Sequence, residues 1–242
     1  MGAELESVRV FWQLSLWGLD ISITSAVLVL WSAVLIIFVI SFLAVHRPKI
    51  VPGKLQGLIE IINEFWEEQT KDLFGEQSNY WLPFVLAIFM FVLVCNLLGM
   101  VPGVYPINSN INTTATLAVV VFLAYHFAGI KNLGFKGYLK SLMPEDVPLI
   151  LWPLMFLLEI TSHLARPFSL AVRLFANMTA GAVVGFTILS FIFVFKSYWL
   201  AGFPLFGKVT VSLFEVFIAF VQAYVFAYLS ALYIGVAIEK HS

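Results

Sequence analysis

The sequence predicts an all-α integral membrane protein with about five membrane helices, the last two long and strongly tilted, plus one amphipathic helix at the membrane surface. Three observations carry this reading. Hydrophobic residues fill 61% of the 242 positions and charged residues only 11%, against roughly a quarter charged in a typical soluble domain. The apolar residues fall in runs of twenty or more, the length a helix needs to cross a hydrocarbon core roughly 30 Å thick. One segment, 54–74, departs from that pattern, with apolar residues on one helical face and carboxylates on the other.

The same composition excludes several functions. A net charge of −1 gives no electrostatic footprint for nucleic acid. Cys95 is the single cysteine, so no intrachain disulfide forms, and its place inside an apolar run assigns it to packing. No His, Cys and carboxylate cluster has metal-ligand spacing, and no glycine loop has the form of a phosphate cradle. No metal, cofactor, catalytic residue or ATP chemistry is therefore expected on this chain.

Along the chain, residues 1–20 carry Glu4, Glu6 and Arg9 ahead of their aromatic residues, the wrong order for a basic region followed by an apolar signal core. This stretch is expected to be retained at the membrane surface. It also lacks the Arg-rich, acid-poor character of an organellar transit peptide, which favours a bacterial or organelle-encoded origin. The first span is expected over 23–45, ended by His46, Arg47, Pro48 and Lys49.

In 54–74 the apolar positions Leu55, Leu58, Ile59, Ile62, Phe65, Trp66 and Leu73 oppose Glu60, Glu64, Glu67 and Lys71, which predicts the surface helix. Spans follow at 81–101 and 113–130, joined by a loop without a charge. The next loop, 131–146, carries Lys131, Lys136 and Lys140. Assigning the basic loops to the cytoplasm puts the N-terminus and the uncharged loop outside.

Two longer apolar segments complete the chain: 147–195, interrupted by Glu159, His163, Arg166, Pro167 and Arg173, and 209–238, interrupted by Glu215. As straight helices they span roughly 70 Å and 45 Å. They either break, with Pro167 the obvious place in the first, or lie strongly tilted. Two tilted helices are preferred, which leaves Lys196 and Lys208 in an outer loop and the C-terminus in the cytoplasm. The whole chain, 1–242, then forms one polytopic membrane domain.

An ionised side chain near the bilayer centre costs at least about 2.5–3.5 kcal/mol, so a deep arginine requires a partner or water. Arg173 is that arginine, followed by a long apolar run. Glu159, Ser162, Arg166, Ser169, Arg173 and Asn177 share one helical face. Glu215 and Gln222, seven apart, share another. Two such stripes suit a water-lined ion route.

Structural roles compete with that reading. Arg173 and Glu215 would form a packing ion pair; Glu159, His163 and Arg166 would be interfacial anchors; Ser169 and Gln222 would bond between helices. A secondary transporter or free-standing ion channel with a buried Arg/Glu site is the alternative function, although no inverted repeat is visible.

From Ser169 to Gly181 the chain reads Ser-Leu-Ala-Val-Arg-Leu-Phe-Ala-Asn-Met-Thr-Ala-Gly, and this stretch resembles the subunit a family of F-type ATP synthases. Leu158-Glu159, Arg166-Pro167, Asn112-Thr113-Thr114 and Gln222-Ala223-Tyr224-Val225-Phe226 are similar to it as well. Ala182 stands where bacterial relatives often carry glutamate, Glu215 where some carry histidine, and Asn110 where several carry aspartate.

The resemblance implies a stator holding two offset half-channels against a rotating c-subunit ring, with peripheral-stalk b subunits as further partners, in a bacterial inner membrane. It implies an outer path past Glu215, an inner path near Glu159 and Ser169, and Arg173 between the two, with Gln222 and Asn177 as further ion-translocation residues and His163 and Arg166 as access-path candidates.

Overall fold

The computed structural model describes residues 10–12, 15–16, 19–20, 22–46, 49, 51–101, 103–141, 152–195 and 202–239. Most of 1–20, with Arg47, Pro48, the loop 142–151 and the loop 196–201, lies outside the described residues, and with them most of the expected surface stretch and the start expected at 147. The described part of the N-terminal stretch forms four short strands. β1 (Val10–Trp12) pairs antiparallel with β4 (Ile23–Thr24), and β2 (Ser15–Leu16) with β3 (Leu19–Asp20). Among the described residues every regular element that follows is helical, and five helical stretches are long and apolar enough to cross a membrane.

Helix α1 (Ser25–Val45) is apolar on every face, and only Ala33 and Ala44 are buried. A helix apolar all round with so little protein cover has lipid as its natural solvent. Helix α2 (Lys54–Phe74) is the amphipathic one. Its C-terminal half docks on the bundle: Trp66 is fully buried, with its ring 5.4 Å from Phe89 and 5.7 Å from Tyr224. Leu55, Leu58 and Ile61, in the first half, stay exposed. Gly75, with φ 54°, ends α2 in a backbone conformation that favours glycine.

Helix α3 (Ser78–Gly99) follows almost directly and buries Trp81, Val85, Ile88, Val92 and Cys95, a three-to-four spacing that turns one face inward. Thr70 and Ser78 join α2 to α3 through a hydroxyl pair at 2.9 Å. Helix α4 runs from Ile111 to Ser141, eleven residues beyond the span expected to end at 130. Much of the presumed basic loop is therefore helical. Gly134, with φ 68° and ψ 162°, breaks α4 and turns the chain back, so that Tyr138 packs against Gly129.

Helices α5 (Trp152–Phe195) and α6 (Gly202–Glu239) have 44 and 38 residues, about 66 Å and 57 Å at 1.5 Å per residue. Both exceed the hydrocarbon thickness and must tilt or protrude. α5 continues through Pro167, so the break that proline permitted is not taken. α6 begins seven residues ahead of the expected 209 and takes Lys208 into the helix instead of the outer loop. The charge stopped the apolar run in the sequence, but in the fold it is compensated one helical repeat later by Glu215.

The core is centred on α6. Ala219, Ala223, Ala227 and Ala231, each buried, recur every four residues and let the neighbouring helices approach closely. Leu170 and Leu174 of α5 and Val121 and Tyr125 of α4 close over the same core.

Candidate functional site

Among the described residues, two cavities flank α5 toward opposite ends. The first, about 330 Å³, lies between α5 and α6 near the 100–110 loop and is lined by Asn96, Asn177, Gly181, Lys208, Glu215 and Gln222 among others. The second, about 160 Å³, lies between α4 and α5 and is lined by His126, Glu159 and His163 within an otherwise apolar wall. On α5 the first cavity begins at Leu174 and the second ends at Leu164, an axial gap of about 15 Å.

Arg173 stands at the edge of that gap. It is exposed, as are Ser162, Ser169 and Asn177, while Leu170, Ala171 and Leu174 on the opposite face are buried. Ser162, Ser169 and Arg173 therefore face away from the bundle, while Glu159 and Arg166 of the same stripe are half-buried against it. Around it on α5 and α6, Phe168, Val183, Phe186, Leu213 and Phe217 are also exposed. Among the described residues no ion pair or hydrogen bond engages the Arg173 guanidinium. The ion pair between Arg173 and Glu215 that the sequence allowed is absent among the described residues: Glu215 pairs with Lys208, and Arg173 is exposed outside that cavity.

In the first cavity Lys208 Nζ lies 3.4 Å from Glu215 Oε1 and 3.3 Å from Oε2. One turn beyond Arg173, Asn177 Nδ2 donates to Gln222 Oε1 at 2.6 Å, which ties α5 to α6. Gln222 is buried, and its Nε2 has no hydrogen-bond partner among the described residues. A buried amide donor without a protein acceptor, set on a cavity wall, is a place for water. Behind it, Asn108 Nδ2 donates to Asn96 Oδ1 at 2.7 Å, and both asparagines are buried.

The second cavity gathers a different set. Tyr125 Oη is 2.9 Å from His163 Nδ1, and His163 Nε2 is 3.3 Å from Glu159 Oε1. That second distance fits an ion pair, although the angle does not make a hydrogen bond. The His126 ring lies 5.5 Å from that of His163, and the Arg166 guanidinium sits 5.2 Å over the Tyr233 ring. Arg166 is thus held by aromatic faces of the bundle.

The structure brings Glu215, Gln222 and Asn177 together, groups Glu159, His163 and Arg166 at the far end, and leaves Arg173 and Ser169 on the outward stripe. Sequence reasoning missed Lys208, Asn96, Asn108, Tyr125 and His126. Of these, Lys208 carried a signal, because it stands seven residues before Glu215, as Glu215 does before Gln222. Asn96, a lone amide deep in an apolar span, carried another.

Residues 27–235 match the ATP synthase A chain family. The chain belongs to this family. Its relatives include the ATP synthase subunit a of Chloroherpeton thalassium, 39% identical over 93% of this chain and 69% of the relative. The subunit a of Rubrobacter xylanophilus is 34% identical over 96% and 91%, and that of Pelagibacter ubique 37% over 98% and 97%. The membership covers every span and both cavities.

Proposed function

We propose that this chain is the stationary ion-channel subunit of a rotary F-type ATP synthase, acting as a single polytopic membrane domain without ATP chemistry of its own. Proton flow through two offset half-channels would couple to rotation of a c-subunit ring. The observation that carries the reading is the pair of cavities toward opposite ends of α5, with Arg173, unpartnered among the described residues, between them on an outward face.

In this reading the cavity at Glu215, Gln222 and Asn177 is the outer path, and the inner one runs through the cavity at Glu159 and His163, past Arg166 and Ser169 outside its lining. Arg173 separates them. A permanently charged guanidinium favours the ionised form of a ring carboxylate passing in front of it, so the proton leaves before the site crosses. Because Arg173 has no partner among the described residues, its charge is available to that passing group. The exposed apolar positions beside it give the ring a surface to turn against. Peripheral-stalk b subunits and lipid cover the remainder.

The location is a bacterial inner membrane, with the N-terminus outside and the C-terminus in the cytoplasm, since Lys131 and Lys136 then fall on the cytoplasmic side. The test against a self-sufficient transporter or channel is proton conductance in liposomes holding the chain alone or the chain with its ring. Half-channels without a ring conduct at background level, whereas full conductance by the chain alone refutes the stator reading.

A further inference from the structure

The cavity between α5 and α6 is lined by one cation and one anion, and they bind each other. Lys208 Nζ reaches both oxygens of Glu215, at 3.4 Å and 3.3 Å, and the two side chains are only 27% and 17% exposed. The seat of the ammonium is cut into the facing helix. A Cβ on Gly185 would lie 2.5 Å from Lys208 Nζ and 3.6 Å from Glu215 Oε1, and one on Gly181 would lie 3.6 Å from the same oxygen. Two glycines one turn apart therefore leave the room this pair fills.

The remaining polar groups around Glu215 carry no formal charge: Asn96 from α3, Asn177 from α5 and Gln222 from α6. Two of their oxygens already accept hydrogen bonds, Asn96 Oδ1 from Asn108 and Gln222 Oε1 from Asn177. Arg173 is not part of the lining. A metal cation entering here meets a carboxylate whose cation position is filled, and only three amides, two of whose oxygens already accept a hydrogen bond.

We propose that Lys208 is a selectivity-determining residue of the outer access path, a tethered cation that keeps alkali ions off Glu215 and lets protons through. The proposal rests on the reading of this cavity as that path. An alkali ion that sheds water needs protein oxygens in exchange. To take Glu215 it would have to strand the ammonium unpaired in a region of low dielectric. A proton also separates the pair, but it needs no shell of protein oxygens and gains a covalent O–H bond in exchange. It passes from hydronium to a Glu215 oxygen, forming an O–H bond and leaving water, while Lys208 keeps its three protons and swings off the neutral acid. When Glu215 gives that proton to the next acceptor, its O–H bond breaks and the ion pair re-forms. Each proton thus resets the site.

The experiment is ATP synthesis by the complete, reconstituted complex under an imposed proton gradient, with and without sodium on the outer side. Chains carrying Lys208→Met, Lys208→Arg and Gly185→Ala are compared with wild type, and assembly is confirmed by blotting. Wild type and Lys208→Arg are expected to be indifferent to sodium. Sodium is expected to slow Lys208→Met by about tenfold, between the effects typical of an exposed and a buried pair, and more outer protons to relieve the inhibition.

Gly185→Ala keeps both charges but pushes the ammonium off its seat, so partial sensitivity is expected. An assembled Lys208→Met complex as indifferent to sodium as wild type overturns the proposal, as does a wild type driven by sodium. Should Lys208→Met fail to assemble, sodium indifference of Gly185→Ala overturns it instead. Failure of the access-path reading has a separate signature, full proton-driven synthesis by Glu215→Gln, which would overturn this proposal with it.

Discussion

Replacing Asn177 by leucine tests the join between the two long helices one turn beyond Arg173. In the native chain Asn177 Nδ2 donates to Gln222 Oε1 at 2.6 Å, and Gln222 is 5% exposed with its Nε2 already lacking a partner among the described residues. Asn177→Leu thus deprives a buried amide of its one protein hydrogen bond among the described residues. Leaving a buried acceptor unpaired costs about 1–3 kcal/mol, and hydrogen bonds between membrane helices average about 0.6 kcal/mol with a maximum near 1.7. We expect a loss of about 1–2 kcal/mol. Gln222→Leu removes the stranded group itself, so the double variant should cost less than the two singles summed, by about 1 kcal/mol. Unfolding in mixed micelles, followed by helical circular dichroism, measures all four corners of the cycle. Additivity within about 0.3 kcal/mol would refute the argument that these amides act as a pair.

Three further outcomes follow from the packing and the second cavity. Trp66→Ala empties a fully buried site between α2, α3 and α6 and should cost about 3–5 kcal/mol; hydrogen exchange should rise along α2 while α4 stays protected, and unchanged α2 exchange would count against its docking. Gly235→Ala sets a Cβ 2.9 Å from the carbonyl oxygen of Leu73, a backbone atom with little freedom to yield, and should lower stability by about 1–3 kcal/mol, read as a lower unfolding midpoint. Tyr125→Phe removes the hydroxyl on His163 and keeps the ring, so ATP-driven pumping should fall about fivefold, the rate equivalent of one hydrogen bond near 1 kcal/mol. Undiminished pumping by that variant would take Tyr125 out of the inner path.

The parts legible in the sequence are those the bilayer dictates locally. Run length located the helices of α1 and α3, and helical phase put Glu159 to Asn177 on one face, because both depend only on neighbouring residues. The start of α6 was not legible in the same way. Lys208 closes an apolar run and reads as a loop charge until the Gly185 slot across the interface is known, and that slot is a tertiary fact. Gly134 read as one more loop residue, although its positive φ is what lets α4 turn and resume. Tyr125 and His126 lie in an apolar span and were not singled out, since nothing local reveals that His163, on the next helix, stands opposite. Arg173 was singled out by its cost in the membrane, but its outward direction came from the burial of Leu170 and Leu174 beneath it.

ATP-driven acidification of inverted membrane vesicles carrying wild type or Arg173→Ala, with ring assembly confirmed by blotting, tests the central claim most directly. The account predicts loss of pumping with an intact ring. Normal pumping by the Arg173→Ala complex would contradict the separation of two half-channels by this residue.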